Sequence, residues 1–274
     1  MKMPKGKIVP LRENAQKTSY YKFIRPVEPL PESVRELIKN AKGKPGEGLE
    51  INDRKVLQSE TQCPQKPGYF PLKEGGMMVH SIVEIPNIEP EAGRWWAAWH
   101  GLDPVRYAIW DPEDHYDVQV SDEDKAHLLD PDLSIEEKLY GVTHHVLESF
   151  DGDEPSTVTM QFVDPFEYGY DRALYDTPEC EMIVCARALL NGKIPVFVTQ
   201  VQRQDQGVRH QHECFWLGYD IENGQAKCVV PKSVVIPEEI LQKLMTHNYK
   251  EFIHLNKVMK ELYAQEKDHW EVDI

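Results

Sequence analysis

Apolar residues with the period of a long helix occupy the C-terminal part of the chain. From Pro237 to about Ala264, they recur at three- and four-residue spacing. They are Ile240, Leu241, Leu244, Phe252, Leu255, Val258, Met259 and Leu262. This spacing places them on one face of a helix. The pattern therefore predicts that the chain ends in its longest helix.

Short segments rich in β-branched and aromatic residues precede this helix, each bounded by Gly, Pro or Asp. Such segments are typical of strands. They cover residues 77–85, 106–110, 115–120, 141–150, 156–163, 182–190, 196–203 and 208–219. Ser121 is expected to cap a short acidic helix that runs through Leu129. Many strands followed by one long helix predict an α+β fold in which a curved antiparallel sheet wraps the C-terminal helix.

The N-terminal third differs from the rest of the chain in its composition and in its pattern of apolar residues. Residues 1–30 are basic and show no clear period, which predicts an extended arm. Pro31 opens a short helix that Gly43 ends, with Val34, Leu37, Ile38 and Ala41 at helical spacing. Residues 42–76 hold much Gly and Pro and are expected to form loops. We therefore divide the chain into an accessory or oligomerisation segment, residues 1–76, and a main domain, residues 77–274.

Composition narrows the choice of partners. The 274 residues carry a formal net charge of −15, which argues against binding to nucleic acid or to anionic membranes. No apolar run approaches the length of a membrane span, and the first ten residues lack the apolar core of a signal peptide. The five cysteines form no CxxC pair and are expected to be reduced thiols. These features predict a cytoplasmic protein with a small neutral or phenolic substrate.

Three segments carry candidate metal ligands. His247 and Glu251, four residues apart on a helix, project from the same face and can share one ion, although such pairs also occur on solvated faces. Glu148 ends an apolar strand. If it is buried there, its carboxylate must be paired, protonated or metal-bound. Alternatively, it lies at the solvent-exposed end of the strand. His115 follows the turn of residues 111–114, where a surface histidine is the default.

His210 and His212 share a strand face with Cys214 and resemble a soft metal site. Residues two apart on one strand cannot by themselves supply the tetrahedral ligands of a metal ion. A structural role is therefore favoured for this group, or a contact with the substrate in the case of His212. The chain contains no GxSxG, P-loop, GxGxxG or HExxH motif. Serine hydrolysis, nucleotide binding and thermolysin-like proteolysis therefore have no support.

Several of these segments occur in an order that resembles a known family. The matching pieces are Trp95-Trp96, Trp99-His100-Gly101, Tyr107, Trp110-Asp111-Pro112, His115, Glu148, Phe215-Trp216-Leu217-Gly218, His247, Glu251, His254-Leu255 and Glu261-Leu262-Tyr263. Together they resemble the family of diacetylphloroglucinol hydrolase and phloretin hydrolase. Phe252 and Lys260 depart from the family pattern, in which Met and Pro are expected.

The resemblance implies a helix-grip fold similar to START and Bet v 1 proteins, with an N-terminal part that helps to build a homodimer. It also implies one zinc ion (Zn2+) per chain, held by His115, Glu148, His247 and Glu251. Tyr107 would contact the substrate and act in catalysis together with Glu148. The implied reaction is hydrolysis of the carbon–carbon bond between an acyl group and a phloroglucinol ring.

The expected substrate is a small-molecule aromatic ketone, and among these we expect phloretin. Its hydrolysis would yield phloroglucinol and 3-(4-hydroxyphenyl)propionate. Two other hypotheses stay open on the sequence. In the first, the protein is a non-enzymatic carrier whose helix-grip cavity holds an apolar or polyphenolic ligand. Two histidines with carboxylates could also hold iron, as in a non-heme iron enzyme.

Overall fold

The computed structural model describes residues 7–59, 61–63 and 66–273. Its main feature is an eight-stranded antiparallel sheet with the strand order β1-β2-β8-β7-β6-β5-β4-β3. The strands are β1 (Gly68–Pro71), β2 (Met77–Glu84), β3 (His115–Gln119), β4 (Thr143–Glu148), β5 (Ser156–Val163), β6 (Met182–Leu190), β7 (Ile194–Asp205) and β8 (Val208–Leu217). A small hairpin, β9 (Tyr219–Glu222) and β10 (Gln225–Cys228), follows.

In the described ranges, five α-helices accompany the sheet. They are α1 (Glu32–Lys39), α2 (Pro90–Trp99), α3 (Pro104–Trp110), α4 (Asp122–Leu129) and α5 (Glu238–Glu266). The predicted C-terminal helix is therefore confirmed, as is the short acidic helix, in which the Ser121 side chain accepts a hydrogen bond from the Asp124 amide. None of the helices in the described ranges is both long and apolar enough to cross a bilayer.

The sheet curves around α5. Near one end of the sheet, the Ile82 amide of β2 donates to the Tyr249 hydroxyl of α5 at 3.4 Å. At the opposite edge, the ring of His115 in β3 lies 5.1 Å from the ring of His247 in α5. Two distant strands can approach one helix only if the sheet bends between them. The predicted α+β helix-grip architecture is thus confirmed.

Both faces of the sheet are covered around β8, whereas the outer face of β4 and β5 leaves His145, Thr157 and Gln161 exposed. The inner face packs against α5 through residues such as Leu255 and Met259. On the outer face, residues of the N-terminal segment, including Leu57 and Phe70, pack against Trp216 of β8. Strand β1 also belongs to this segment and pairs with β2, so the segment contributes both a strand and a second core. The division at residue 76 stays a prediction.

Two local predictions are wrong. Residues 106–110 form the helix α3 and no strand, because the Asp103 side chain caps the Val105 amide and Pro104 occupies the first helical turn. The predicted loop of residues 42–76 contains β1 and a 3-10 helix, Ile51–Gln58. Residues 1–6 of the predicted arm lie outside the described part.

The remainder of the arm is anchored to the domain. Tyr20 and Phe23 are fully buried, and the Tyr20 hydroxyl donates to Asp103 Oδ2 at 2.6 Å. This bond connects the arm to the cap of α3. The arm therefore contributes to the position of the helix that carries Tyr107.

The apolar face of α5 is expected to supply much of the stability of the fold. Leu262 is fully buried in the inner core. Leu262→Ala should lower the free energy of unfolding by about 2–5 kcal/mol, because it removes buried methyl groups and leaves a cavity. Urea unfolding monitored by circular dichroism measures the change. Lys260→Ala, at an exposed position on the same helix, is the control, and equal stability of the two variants would contradict the predicted role of this face.

Candidate metal centre

The structure brings the four predicted ligands to one point. His115 Nε2 lies 3.3 Å from His247 Nε2 and 3.3 Å from Glu251 Oε2. Glu251 Oε2 is 3.5 Å from His247 Nε2, and Glu148 Oε2 is 3.9 Å from His115 Nε2. Ligand atoms about 2 Å from a tetrahedral zinc are separated by about 3.3 Å. The distances therefore suit a single metal ion.

Regular elements position each of these side chains. His115 opens β3 and is directly opposite Glu148, which ends β4. His247 and Glu251 lie one turn apart on α5, so their side chains share a face. Glu148 is buried and points inward on the same face of β4 as His144 and Val146, so it does not lie at the solvent-exposed end of the strand. Three rigid elements thus converge at one edge of the sheet.

A backbone contact fixes the orientation of the His115 ring. Its Nδ1 lies 3.2 Å from the carbonyl oxygen of Tyr107, to which an Nδ1–H donates. The ring also stacks on that of Tyr107, with centroids 3.9 Å apart and an interplanar angle of 5°. This arrangement leaves the lone pair of His115 Nε2 facing the other three residues, as metal binding requires.

A second group of charges, which the sequence analysis missed, lies behind His247. Lys250 Nζ is 2.9 Å from Asp111 Oδ2 and also contacts Asp114. Asp114 Oδ2 lies 3.8 Å from His247 Nδ1, and Ser149 donates to the same carboxylate. Asp111, Asp114 and His247 are also close enough to hold a metal. However, both aspartates already share an ion pair with the Lys250 ammonium, which favours a supporting role for them. The only sequence signals were the acidic turn of residues 111–114 and a lysine next to Glu251.

Burial dominates the electrostatics of the centre. It raises the pKa of Glu148, and it raises that of Glu251 well above the usual range. Burial and the neighbouring His247 hold the pKa of His115 well below its usual value. For His247, burial opposes protonation, but the surrounding carboxylates, Glu251 foremost, raise its pKa to about 10. The centre therefore favours added positive charge.

A divalent cation would meet this electrostatic need. In the described part of the chain, the ion pairs of Glu148 and Glu251 involve histidines and no Lys or Arg. Without a metal, a protonated His247 ring supplies the positive charge that the two buried carboxylates require, and a bound metal would take over that role as it displaces the proton. Two imidazole nitrogens and two carboxylate oxygens are a donor set that zinc accepts and that iron also accepts. The residues present therefore fit a metal ion.

The candidate metal centre opens into a cavity between α5 and the inner face of the sheet. Trp96, Phe162, Phe215 and Phe252 are among the residues that line it, and Tyr107 contributes its hydroxyl, which donates to Glu148 Oε2. A polar group lies on the wall beside the centre, linked to Glu251 Oε1 by the Asn248 amide at 3.3 Å. There Glu213 accepts hydrogen bonds from Gln200, at 2.8 Å, and from Asn248. Burial raises the pKa of Glu213 to about 7. The cavity combines apolar walls with a few polar groups, as small-molecule sites do.

His212, predicted to contact the substrate, is not part of this cavity. Along β8, Gln211, Glu213 and Phe215 line the cavity, whereas His212 points to the outer face of the sheet, beside His80. Side chains alternate along a strand, so neighbours of a cavity residue face away from it. This placement does not support the predicted substrate contact of His212.

Comparisons with known proteins identify the family of the chain. Residues 49–264 match the family model described as the DAPG hydrolase PhiG domain. The chain is 30% identical over 267 residues to phloretin hydrolase of Eubacterium ramulus, covering 96% of each protein. It is 24% identical over 229 residues to 2,4-diacetylphloroglucinol hydrolase of a Pseudomonas species, covering 78% of this chain and 76% of that enzyme.

Among solved structures, that of Ara h 8.0201 aligns with 67% of this chain and 97% of its own, at 11% identity and a TM-score of 0.40. The family model and the relative from Eubacterium ramulus each span most of the sequence, including all four candidate ligands and Tyr107. The chain therefore belongs to the DAPG hydrolase family.

Proposed function

We propose that the protein is a zinc-dependent hydrolase that cleaves the carbon–carbon bond between an acyl group and a phloroglucinol ring, with phloretin as its substrate. The observation that carries the proposal is the convergence of His115, Glu148, His247 and Glu251 at the wall of a largely apolar cavity. The 30% identity to phloretin hydrolase supports the choice of substrate.

The reaction adds water across an aryl ketone. The acyl carbon gains the hydroxyl of a carboxylic acid, and the ring carbon that leaves gains a proton. Zinc, when bound, would supply a Lewis acid that polarises a carbonyl and lowers the pKa of a water molecule. The protein must then orient the ketone and deliver a proton to the electron-rich ring.

Tyr107 and Glu148 are placed for proton handling. Burial, followed by the charge of Glu148, raises the pKa of Tyr107 well above its usual value, so Tyr107 Oη holds its proton. The hydroxyl points to Glu148 Oε2 at the cavity wall. Its single proton can turn from Glu148 to an oxygen of the substrate and stabilise charge that develops there. Glu213 and Gln200 line the same cavity and can contact the ring hydroxyls.

The competing hypotheses predict different arrangements. A carrier needs only the cavity, whereas four metal-capable side chains that meet in space favour an enzyme. A non-heme iron enzyme has a compatible donor set, and the identity of the bound metal decides between iron and zinc.

The resemblance also leads us to propose a cytoplasmic homodimer built through the N-terminal segment. Sedimentation velocity measures the mass of the protein in solution and so tests whether it is a dimer.

The metal ligands can be tested by substitution. His247→Ala and Glu251→Ala should each lose one equivalent of zinc per chain, as measured by elemental analysis. Activity should fall by more than about a hundredfold, because even residues that merely support a metal ligand contribute about 10- to 100-fold. The chain should stay folded, since the apolar face of α5 supplies most of its packing.

Glu261→Ala, at an exposed position of α5, is the matched control and should keep zinc and activity. Circular dichroism confirms that each variant is folded. A folded His247→Ala or Glu251→Ala protein with the full zinc content and activity of the parent would refute the assignment of these ligands.

The Tyr107 hydroxyl is expected to act in turnover and not in metal binding. Tyr107→Phe should keep zinc and lower kcat by about a hundredfold or more, which is the range of positioned acid–base groups. Steady-state kinetics and metal analysis measure the two effects. Tyr170→Phe, which removes the hydroxyl of another buried tyrosine bonded to Thr199, is the control. Unchanged kcat in Tyr107→Phe would show that Tyr107 only forms the wall.

The substrate class is tested by comparing phloretin, diacetylphloroglucinol and a simple phenyl ester. We expect the highest kcat/KM for phloretin, with release of phloroglucinol and 3-(4-hydroxyphenyl)propionate detected by chromatography. The free ring hydroxyls matter because they allow the keto tautomer from which a ring carbon can leave. Preference for the diacetyl compound would change the substrate and keep the reaction class. Cleavage of the ester alone would exclude carbon–carbon bond hydrolysis.

A further inference from the structure

A second group of potential metal ligands lies on the outer face of the sheet, away from the cavity. It consists of Cys63, which follows the 3-10 helix of the N-terminal segment, His80 of β2 and His212 of β8. All three side chains are buried. His80 pairs with Cys214, two residues from His212, so both histidines project from the same face of neighbouring strands. The Cys63 segment packs over them.

The distances within this cluster fit one metal ion. His80 Nε2 lies 3.2 Å from His212 Nδ1, and Cys63 Sγ lies 3.9 Å from the same nitrogen. Tetrahedral zinc holds two imidazole nitrogens about 3.3 Å apart and a sulfur and a nitrogen about 3.6 Å apart. The observed separations are within a few tenths of an ångström of these values.

Asp205 prepares His212 for coordination. Its Oδ2 lies 2.6 Å from His212 Nε2, so Nε2 carries the proton and donates to the carboxylate. The lone pair of Nδ1 then points toward Cys63 and His80. A carboxylate that binds the remote nitrogen of a histidine is the usual support for a metal ligand. Burial lowers the pKa of both His80 and His212, which keeps the two rings neutral, as coordination requires.

Arg203 contributes a nearby positive charge, but that charge is already paired. Its Nε donates to Asp205 Oδ1 at 2.7 Å, and its Nη1 donates to the carbonyl oxygens of Leu57 and Ser59. The guanidinium therefore fixes Asp205 and the chain just before Cys63. The aspartate compensates the charge of the arginine, which reduces its repulsion of a bound cation.

A Cys-His-Asp arrangement also suggests a thiol nucleophile, but the environment opposes that role. Burial raises the pKa of Cys63 to about 11, even though Arg203 acts in the opposite direction. The residue is also absent from the lining of the substrate cavity. A catalytic cysteine needs a low pKa and access to substrate. Metal binding, in contrast, displaces the thiol proton and needs no access for substrate.

We propose that Cys63, His80 and His212 bind a second, thiophilic metal ion, Zn2+ or Cu+, which fastens the N-terminal segment to the outer face of the sheet. One thiolate sulfur and two imidazole nitrogens are a donor set that both ions accept. The ion would join elements far apart in sequence across the outer core. It would raise the metal content to two ions per chain when the candidate metal centre is also filled.

Cobalt substitution separates this site from the candidate metal centre. The full chain is freed of metal with a chelator and titrated with Co2+. Only a thiolate ligand gives an intense sulfur-to-cobalt charge-transfer absorption in the near ultraviolet, and the four ligands of the candidate metal centre include no sulfur. We expect this absorption in the parent and its loss in Cys63→Ser. It should persist in Cys180→Ser, which changes another buried cysteine on the same side.

His247→Ala should also keep the absorption, so failure of the proposed catalytic metal would not remove it. A parent chain that binds Co2+ without this absorption, or a Cys63→Ser variant that retains it, would overturn the proposal. X-ray absorption of the parent protein as purified, at the zinc and copper edges, needs no variant. It should show a metal–sulfur distance of about 2.3 Å for zinc, or a copper–sulfur shell for Cu+. The absence of sulfur from both spectra would contradict the proposal even if Cys63→Ser failed to fold.

Discussion

Two carboxylates buried at the wall of an apolar cavity impose the main constraint on this structure. Glu148 and Glu251 lie where an uncompensated negative charge is costly, and each approaches the imidazoles of His115 or His247. The fold meets this constraint by bringing the end of β4, the start of β3 and one turn of α5 together. The chemistry that we propose depends on these three elements keeping their relative positions.

Neighbouring ion pairs and hydrogen bonds hold these three elements in place. Lys250, on the turn that carries Glu251, forms ion pairs with both Asp111 and Asp114 behind His247. The Tyr107 carbonyl orients His115, and the Asp103 cap of α3 holds Tyr107 in place while also bonding Tyr20 of the N-terminal arm. The arm, α3 and α5 thus form a continuous network around the candidate metal centre. We therefore expect a change in any one of them to alter the ligand geometry.

Much of this arrangement could be predicted from the sequence, for definite physical reasons. The helical period of Leu244, Leu255 and Leu262 identified α5, and the spacing of His247 and Glu251 placed them on one face. The resemblance to a family joined them to His115 and Glu148, which no local pattern could do. Residues 106–110 were mistaken for a strand because their β-branched and aromatic character outweighed the capping signal of Asp103 and Pro104. The orientation of His212 could not be predicted, because both faces of β8 are buried and its pattern does not distinguish them.

The most direct test of the account is the location of metal in crystals of the protein. Anomalous diffraction recorded on both sides of the zinc absorption edge should show a zinc peak within about 2.2 Å of His115 Nε2, His247 Nε2 and the carboxylates of Glu148 and Glu251. Such a peak would establish that the buried carboxylates are compensated by zinc. A well-ordered structure from zinc-replete protein with no peak between these four residues, or with a peak only at the iron edge, would contradict the account.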